Sequence, residues 1–430
     1  MANMKHFFTD MCDETSLVVK RRVPARSQQP PKRDSEWSTG MIPDRILSAD
    51  SHIVEPADFW IRHIDRTFRE RAPHAHTDKD GTVHFIVDKN RPLGSVGAPS
   101  QAGVRFEDAS KVTFEGAWAD VRPGCADPHP RRRDMEKDGI AGEVIFPTLG
   151  ARLYGVVGGE LLSACFRAGN DWLMERFCQA DPRAFKPVAL LNIEDIPGAV
   201  AELERCAKGG MRGAMIPTYP GEAYPYHDPR YDPLWAAAQA LSMPVNFHIA
   251  STCPGPGQLS IFTSEWRNPG AAAYSSTQDY WVRRSVADMI FAGVFERFPK
   301  LKAAIVEHEL AWAIYFLRKM DETYRELSQT APYRFKNGAL PSDFFRHQIF
   351  LTFQEDKVGL HVLKDMIGTD TMMFGSDYPH AESTWPNSRK FLEGMLKDFS
   401  AEERRKLVSG NVAKLFDFDS DDNATPARAR

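Results

Sequence analysis

Two short segments, far apart in the chain, end apolar runs in side chains that can bind a metal ion. Asp50-Ser51-His52 follows the run Ile46-Leu47, and Gly375-Ser376-Asp377-Tyr378-Pro379-His380 follows Met372-Met373-Phe374. Carboxylates and imidazoles are common ligands of divalent transition metals in proteins. About 320 residues separate the two segments, so only a closed fold would bring them together.

Eight short runs predict buried strands, because most of them are apolar throughout rather than alternating. Amphipathic stretches with helical spacing fill the gaps between these runs. Eight strand–helix repeats predict a (β/α)8 TIM barrel, distorted, with long insertions at its C-terminal face. The predicted strands are Arg45–Asp50, Gly142–Pro147, Lys186–Ile193, Gly213–Pro217, Pro244–His248, Lys302–Glu307, Ile349–Phe353 and Met372–Asp377.

The barrel is expected to occupy residues 41–417. A disordered or partner-draping tail, 1–40, precedes it, and a flexible tail, 418–430, follows it. Such barrels typically need about 250 residues, and insertions at about 56–130 and 251–282 hold the excess. Both insertions are expected to emerge at the C-terminal face as lid or rim elements, or alternatively to form a dimer interface.

The composition argues against several classes of partner. The formal net charge of −4 is too small to indicate nucleic acid or a membrane surface. No apolar stretch approaches the ~20 residues that span a bilayer. The six cysteines form no CxxC pair, which favours free thiols in a reducing cytoplasm. We expect a cytoplasmic protein with a small-molecule substrate, assembled as a homodimer or higher homo-oligomer.

The predicted barrel brings polar strand ends together. Residues two apart on a strand share a face, so Asp50 and His52 can both point into the barrel mouth. His248 ends the fifth strand, and Asp377 ends the eighth, which closes the barrel beside the first. A single strand-end polar residue is usually structural, but four that converge at one end predict a divalent-metal site.

The order of these motifs resembles that of the amidohydrolase-related family, the branch of the amidohydrolase superfamily that includes aminocarboxymuconate semialdehyde decarboxylase. The resemblance covers nearly everything between residues 45 and 415. It is specific for the family and weak for the substrate. The matching segments include Asp50-Ser51-His52-Ile53-Val54-Glu55-Pro56, Asp138-Gly139-Ile140, Phe146-Pro147-Thr148, Asn170-Asp171-Trp172-Leu173, Pro244-Val245-Asn246-Phe247-His248 and Phe374-Gly375-Ser376-Asp377-Tyr378-Pro379-His380.

The resemblance implies one divalent metal ion, zinc or manganese. Its ligands would be His52, His248 and Asp377, with Asp50 as the first-strand partner. Members of the family commonly have His or Glu where this chain has Asp50. Because a shorter carboxylate binds either directly or through water, the role of Asp50 stays open.

The sixth strand departs from the family pattern. The decarboxylases of the family have a His there as an acid–base group, whereas the matching position in this chain is Glu307, followed by His308. Adjacent residues on a strand face opposite ways. We therefore expect Glu307 to face the cavity as a catalytic group, and His308 either to share that role or to be structural.

Several residues beyond these strand ends are candidates for substrate contact. His380 and Trp385 lie on the loop after the eighth strand. Arg283 and Arg284 follow the long fifth-strand loop, where they would offer positive charge or form a solvated helix start. Asn170, within its matched segment, is a further candidate. Aromatic residues in the 251–282 insertion are consistent with an aromatic substrate, although core and interface roles explain them equally well.

The residue set favours hydrolysis. Metal-activated water would attack an amide, ester or related carbonyl compound, with Asp377 as general base and then acid. Glu307 adds negative charge, which suits a substrate carboxylate poorly. The second hypothesis is a non-oxidative decarboxylase or hydratase of an aromatic or unsaturated carboxylic acid. The third is a barrel without metal that serves as a binding module.

Overall fold

Eight parallel strands form the central sheet. The computed structural model describes residues 42–113, 115–253, 272–273, 275–327 and 334–419. The predicted tail 1–40, most of the tail 418–430 and much of the 251–282 insertion lie outside the described residues. The described residues belong to one compact unit.

The barrel strands follow one another in chain order around the sheet, and each neighbouring pair is parallel. A second, three-stranded antiparallel sheet, β2-β3-β4, lies in the segment between β1 and β5. The strands β1 to β11 are Ile46–Ile53, His74–Thr77, Val83–Val87, Arg91–Ser95, Ile140–Pro147, Phe185–Leu190, Gly213–Ile216, Val245–His248, Ala303–Val306, Ile349–Phe353 and Met372–Phe374.

Helices connect the barrel strands and cover the outside of the sheet. Some of them begin at a side-chain cap: Asp195 accepts a hydrogen bond from Gly198 N at the start of α5, and Asp356 accepts one from Gly359 N at the start of α10. None of the described helices is long and apolar enough to cross a membrane. Among the described residues the helices α1 to α13 are Phe59–His63, Pro128–Asp138, Leu149–Arg152, Gly159–Leu173, Ile196–Lys208, Asp232–Ala240, Asp279–Phe291, Val294–Arg297, Ala311–Glu326, Lys357–Ile367, Ser388–Met395, Ala401–Arg405 and Asn411–Phe416.

The first and last strands close the barrel. The backbone N–H of Asp377 donates to Asp50 O at 2.8 Å, and that of His52 donates to Tyr378 O at 2.6 Å. Gly375 permits this approach, because a Cβ at that position would lie 2.6 Å from the Asp50 Cβ. The predicted TIM barrel is therefore confirmed, and the two segments that carry candidate ligands are neighbours at its closure.

Polar side chains fill the closure. We call Ser48, Ser51, Ser376, Arg131 and Glu143 the seam cluster; all five are buried. The Ser48 hydroxyl lies 3.0 Å from that of Ser51 and 3.1 Å from that of Ser376. Arg131 Nε donates to Glu143 Oε2 at 2.7 Å, and Ser51 donates to Glu143 Oε1 at 3.3 Å. Ser48 and Ser51 interrupt the apolar pattern of β1, and their buried hydroxyl groups find hydrogen-bond partners within the seam cluster.

The antiparallel sheet forms part of the rim of the barrel mouth. Val83, Phe85 and Val87 are buried, while the residues between them are partly exposed, so one face of β3 packs inward. A Cβ at Gly94 on β4 would collide with the guanidinium of Arg152. Gly94 also has φ 127°, a conformation that favours glycine. The rim sheet thus lies directly against the loop after β5.

Candidate metal centre and active-site cavity

Five side chains from four strand ends converge at the barrel mouth. We call Asp50, His52, His248, Glu307 and Asp377 the metal cluster. His52 Nε2 lies 3.0 Å from His248 Nε2, 3.4 Å from Asp50 Oδ1, and 3.6 Å from both Glu307 Oε2 and Asp377 Oδ1. His248 Nε2 lies 3.3 Å from both Asp50 Oδ1 and Glu307 Oε2. Ligand atoms of Asp50, His52, His248 and Glu307 therefore lie within 4.8 Å of one another, and Asp377 belongs to a second such group with His52, Glu307 and His380.

The local backbone aims two of these carboxylates. β9 ends at Val306 and β11 at Phe374. Glu307 and Asp377 then take positive φ values of 62° and 56°, which are uncommon for residues other than glycine. Such conformations are found at functional sites, where the surrounding fold holds them. They turn both side chains away from the regular alternation of the strand.

The metal cluster carries more negative charge than its imidazoles balance. Burial opposes the charged form of His52, but the nearby carboxylates of Asp50 and Glu307 outweigh it and raise its pKa to about 9. Burial also opposes ionisation of Asp50, yet the imidazoles of His248 and His52 hold its pKa well below the usual value. Burial and the charge of Glu307 raise the pKa of Asp377 well above its usual value. The carboxyl group of Asp377 therefore favours its protonated form.

The cluster fits a divalent cation. Asp377 Oδ2 and Glu307 Oε2 are buried, and neither has a hydrogen-bond partner within the described part of the chain. Buried polar atoms are nearly always paired, so such orphans point to a missing ion or water. A cation would supply positive charge that balances these buried carboxylates. The group Asp50, His52, His248 and Glu307 has ligand atoms within 4.8 Å of one another, and nitrogen and carboxylate oxygen suit zinc and manganese.

His380 forms a second layer on the metal cluster. Its ring stacks on that of His52, with centroids 4.1 Å apart. Its Nδ1 lies 2.8 Å from Asp377 Oδ1, and its Nε2 lies 3.3 Å from the Thr148 hydroxyl, which also lies 3.3 Å from His52 Nδ1. Thr148 therefore orients both imidazoles, which fixes ligand direction in metal sites.

His308 lies beside the cluster but differs in character. It is buried, and its Nε2 has no hydrogen-bond partner among the described residues. Burial and the nearby charge of His248 lower its pKa to about 3. An imidazole that stays neutral at all ordinary pH values is a poor acid–base group. Glu307, by contrast, has its carboxylate within the metal cluster.

A cavity of about 1770 Å³ opens over the metal cluster. His52, His248, Glu307 and His380 line its floor, and residues of the rim sheet line its wall. Its volume exceeds the 300–1,000 Å³ usual for a small-molecule site. The site is therefore reached through a wide mouth that the rim sheet borders.

Sequence reasoning missed Arg152 and Glu382, which also line this cavity. Arg152 is the one lysine or arginine among the described lining residues, and although burial lowers its pKa, that pKa stays at about 10. Burial and the charge of Glu307 raise the pKa of Glu382 to about 7. Arg152 lies four residues after Thr148, just past the matched Phe146-Pro147-Thr148 segment, and that position on the loop was the available signal.

The other candidates for substrate contact, Arg283, Arg284, Trp385 and Asn170, lie outside the residues that line the cavity. Arg283 and Arg284 lie on α7, partly exposed, and pair with Asp279 and Asp288 of the same helix. Trp385 is buried, and its indole N–H donates to Asp134 O at 2.9 Å. Asn170 is fully buried; its amide oxygen accepts from Leu190 N and its amide nitrogen donates to Leu190 O. Asn170 and Trp385 thus make structural hydrogen bonds in this fold.

The chain belongs to the amidohydrolase family, whose model matches residues 73–418. Gamma-resorcylate decarboxylase from Polaromonas sp. strain JS666 is 26% identical over 326 residues, covering 72% of this chain and 93% of that protein. An amidohydrolase structure from Mycobacterium avium subsp. paratuberculosis K-10 matches with a TM-score of 0.70 at 22% identity, covering 86% of this chain and 99% of that one. A dihydroxybenzoic acid decarboxylase from Polaromonas sp. JS666, solved with manganese and 2-nitroresorcinol, matches with a TM-score of 0.59 at 19% identity, covering 88% and 98%.

The expectation of amide or ester hydrolysis is wrong, because the relative that matches over most of its length is a decarboxylase. The negative charge of Glu307 alone would repel a substrate carboxylate. Arg283 and Arg284, the candidates for a compensating positive charge, instead pair with carboxylates of their own helix. The structure has a cation in the cavity wall, at Arg152.

Proposed function

We propose that this protein is a metal-dependent, non-oxidative decarboxylase of a hydroxylated aromatic carboxylic acid. The observation that carries the proposal is one cavity lined both by His52, His248 and Glu307 of the metal cluster and by Arg152, which also donates to Leu93 O at 3.3 Å. The similarity to gamma-resorcylate decarboxylase and to the dihydroxybenzoic acid decarboxylase supports the same chemistry. The metal-free binding module is disfavoured, since the full set of candidate ligands is present.

Asp50, His52, His248 and Asp377 would hold the metal ion, zinc or manganese. When bound, such an ion supplies a Lewis acid that polarises substrate oxygen atoms. The manganese in the structure of the dihydroxybenzoic acid decarboxylase favours manganese for this chain as well.

Arg152 would receive the substrate carboxylate. A guanidinium forms paired hydrogen bonds with a carboxylate, and these bonds are stronger than those between neutral groups. Arg152 also offsets the charge of Glu307, which acts on it across the cavity. The wall that bears Arg152 lies against the rim sheet, where the Arg152 guanidinium donates to Leu93 O at 3.3 Å.

Asp377 would deliver the proton. Its carboxyl group is buried and lies 2.8 Å from Nδ1 of His380, which lines the cavity. In the reaction the ring carbon that carries the carboxylate gains a proton. The carbon–carbon bond then breaks, CO₂ leaves, and its bonding electrons return to the ring. A hydroxyl group ortho to the carboxylate makes that ring carbon basic enough to accept the proton, which is why the proposal specifies a hydroxylated acid.

The test measures CO₂ release from protein loaded with Mn²⁺ or Zn²⁺. The substrates are 2,6-dihydroxybenzoate and 5-carboxyvanillate, with unsubstituted benzoate as the control. We expect CO₂ and the matching phenol in equal amounts from at least one hydroxylated acid, and none from benzoate. Metal-loaded protein that releases no CO₂ from either hydroxylated acid would refute the proposal. The homo-oligomer and the cytoplasmic location stay predictions.

A further inference from the structure

We infer that Glu307 is itself a metal ligand, beside Asp50, His52 and His248, and so adds a carboxylate to the ligands of the proposed function. The inference rests on the metal site of the proposed function and concerns the residue that stands where the family's decarboxylases have a histidine. It assigns Glu307 to the coordination of the ion rather than to proton transfer.

The distances within the metal cluster carry the inference. Ligand atoms bound about 2.0–2.2 Å from one ion lie roughly 3.0–3.5 Å from each other in common geometries. Glu307 Oε2 lies 3.3 Å from His248 Nε2 and 3.6 Å from His52 Nε2. Asp50 Oδ1 lies 3.3 Å and 3.4 Å from the same two atoms. Oε2 of Glu307 therefore lies about as far from the two imidazole nitrogens as Oδ1 of Asp50 does. These separations are close to those between neighbouring ligand atoms of one metal ion.

The backbone around Glu307 supports a fixed position. Its N–H donates to the Thr352 hydroxyl at 2.9 Å, which ties it to the end of β10. Its φ of 62° directs the side chain into the mouth. Its Oε2 is buried without a hydrogen-bond partner in the described part of the chain, although buried carboxylate oxygens ordinarily have one.

A third carboxylate would shift the preference among metals. Carboxylate oxygen suits harder ions such as manganese, whereas imidazole suits zinc as well. Removal of the Glu307 charge should therefore weaken Mn²⁺ binding more than Zn²⁺ binding. A role for Glu307 in shaping the pocket alone would weaken both ions equally.

The experiment measures Mn²⁺ and Zn²⁺ affinity by titration calorimetry on chelator-treated wild-type, Glu307→Gln and Glu382→Gln proteins. Glu382→Gln is the matched control above pH 8, where Glu382, with a pKa of about 7, is ionised, because it then removes one negative charge from the same cavity and no ligand atom. We expect Glu307→Gln to weaken Mn²⁺ binding at least about tenfold, since loss of even outer-shell groups costs 10- to 100-fold. We expect a smaller loss of Zn²⁺ affinity, and less than about threefold change in Glu382→Gln. The electron paramagnetic resonance spectrum of bound Mn²⁺ should change in Glu307→Gln alone.

Two outcomes would overturn the inference. In the first, a folded Glu307→Gln protein binds Mn²⁺ within threefold of wild type and gives the same spectrum. In the second, Glu382→Gln weakens Mn²⁺ binding as much as Glu307→Gln does. Failure of the wild type to bind either ion would refute the metal site and with it the proposed function. Normal metal binding without CO₂ release would refute the decarboxylase alone.

Discussion

Two clusters of buried charged groups meet at the closure of the barrel, and only one is satisfied. In the seam cluster, Arg131 donates to Glu143, to the backbone oxygen of His52 at 2.7 Å and to that of Tyr378 at 3.4 Å. In the nearby metal cluster, Oε2 of Glu307 and Oδ2 of Asp377 have no hydrogen-bond partner among the described residues. The backbone of His52 belongs to the first cluster and its ring to the second.

The difference separates structure from function. A buried ion pair stabilises a fold only when its partners satisfy each other, and the seam cluster meets that condition. The metal cluster does not, because its carboxylates are left facing one another. Unsatisfied buried charge is a cost that a protein retains where a ligand or ion balances it. The seam cluster therefore holds β1 and β11 together, and this places Asp50, His52 and Asp377 of the metal cluster beside one another.

The largest effect is expected when the metal cluster loses its proton-delivering carboxyl group. Asp377→Asn should lower kcat for the hydroxylated acid by about 10²- to 10⁴-fold, the range typical of general acid–base groups. In the absence of metal, its unfolding temperature should stay near that of wild type. Asp370→Asn, an exposed carboxylate that pairs with Lys406, is the control. If Asp377→Asn kept wild-type kcat, Asp377 would not deliver the proton.

Removal of charge from the seam cluster should instead affect stability. Glu143→Gln leaves the Arg131 guanidinium buried without its counter-charge, and such losses cost about 3–5 kcal/mol. Urea denaturation followed by circular dichroism measures the free energy of unfolding. The exposed pair Arg318–Glu322 offers the control Glu322→Gln, for which we expect a far smaller change. Equal stability of Glu143→Gln and wild type would contradict a structural role for the seam.

Arg152 should affect substrate binding rather than folding. Arg152→Met removes a charge-assisted hydrogen bond worth about 1.5–3 kcal/mol, so KM for the acid should rise roughly 10- to 100-fold. Inhibition by resorcinol, which lacks the carboxylate, should change little. Arg284→Met, on the partly exposed face of α7, should leave KM unchanged. A larger effect of Arg284→Met than of Arg152→Met would reverse the assignment.

A smaller effect is expected at Asp138, next to the seam cluster. Burial and the charge of Glu143 raise its pKa from 3.8 to about 7, although Ser388 donates two hydrogen bonds to it. The protonated form therefore stabilises the fold; this contribution is complete below pH 3.8 and is lost as the pH rises through about 7. Between pH 5 and 8 the wild type should lose stability relative to Asp138→Asn. Parallel stability curves for the two proteins would show that Asp138 does not titrate in this way.

The sequence was sufficient to predict the barrel and much of the metal cluster. In a barrel of this kind the carboxyl ends of all strands meet at one face. Once the barrel is inferred, the strand pattern therefore predicts that Asp50, His52, His248 and Asp377 lie near one another. Loop geometry was not predictable in the same way. Nothing in residue spacing shows that Arg152, at the end of a single helical turn, folds under Gly94. Nor does a family motif distinguish Asn170, whose amide pairs with the backbone of Leu190, from a residue that contacts substrate.

Metal binding tests the central claim most directly. Calorimetry of the chelator-treated chain with Mn²⁺ should give one ion per chain, and the bound ion should raise the unfolding temperature, because a ligand that binds only the folded state stabilises it. His52→Ala should abolish both effects, while Glu143→Gln should lower stability yet still bind the ion. A wild-type chain that binds neither Mn²⁺ nor Zn²⁺, with an unfolding temperature unchanged by either, would contradict the account.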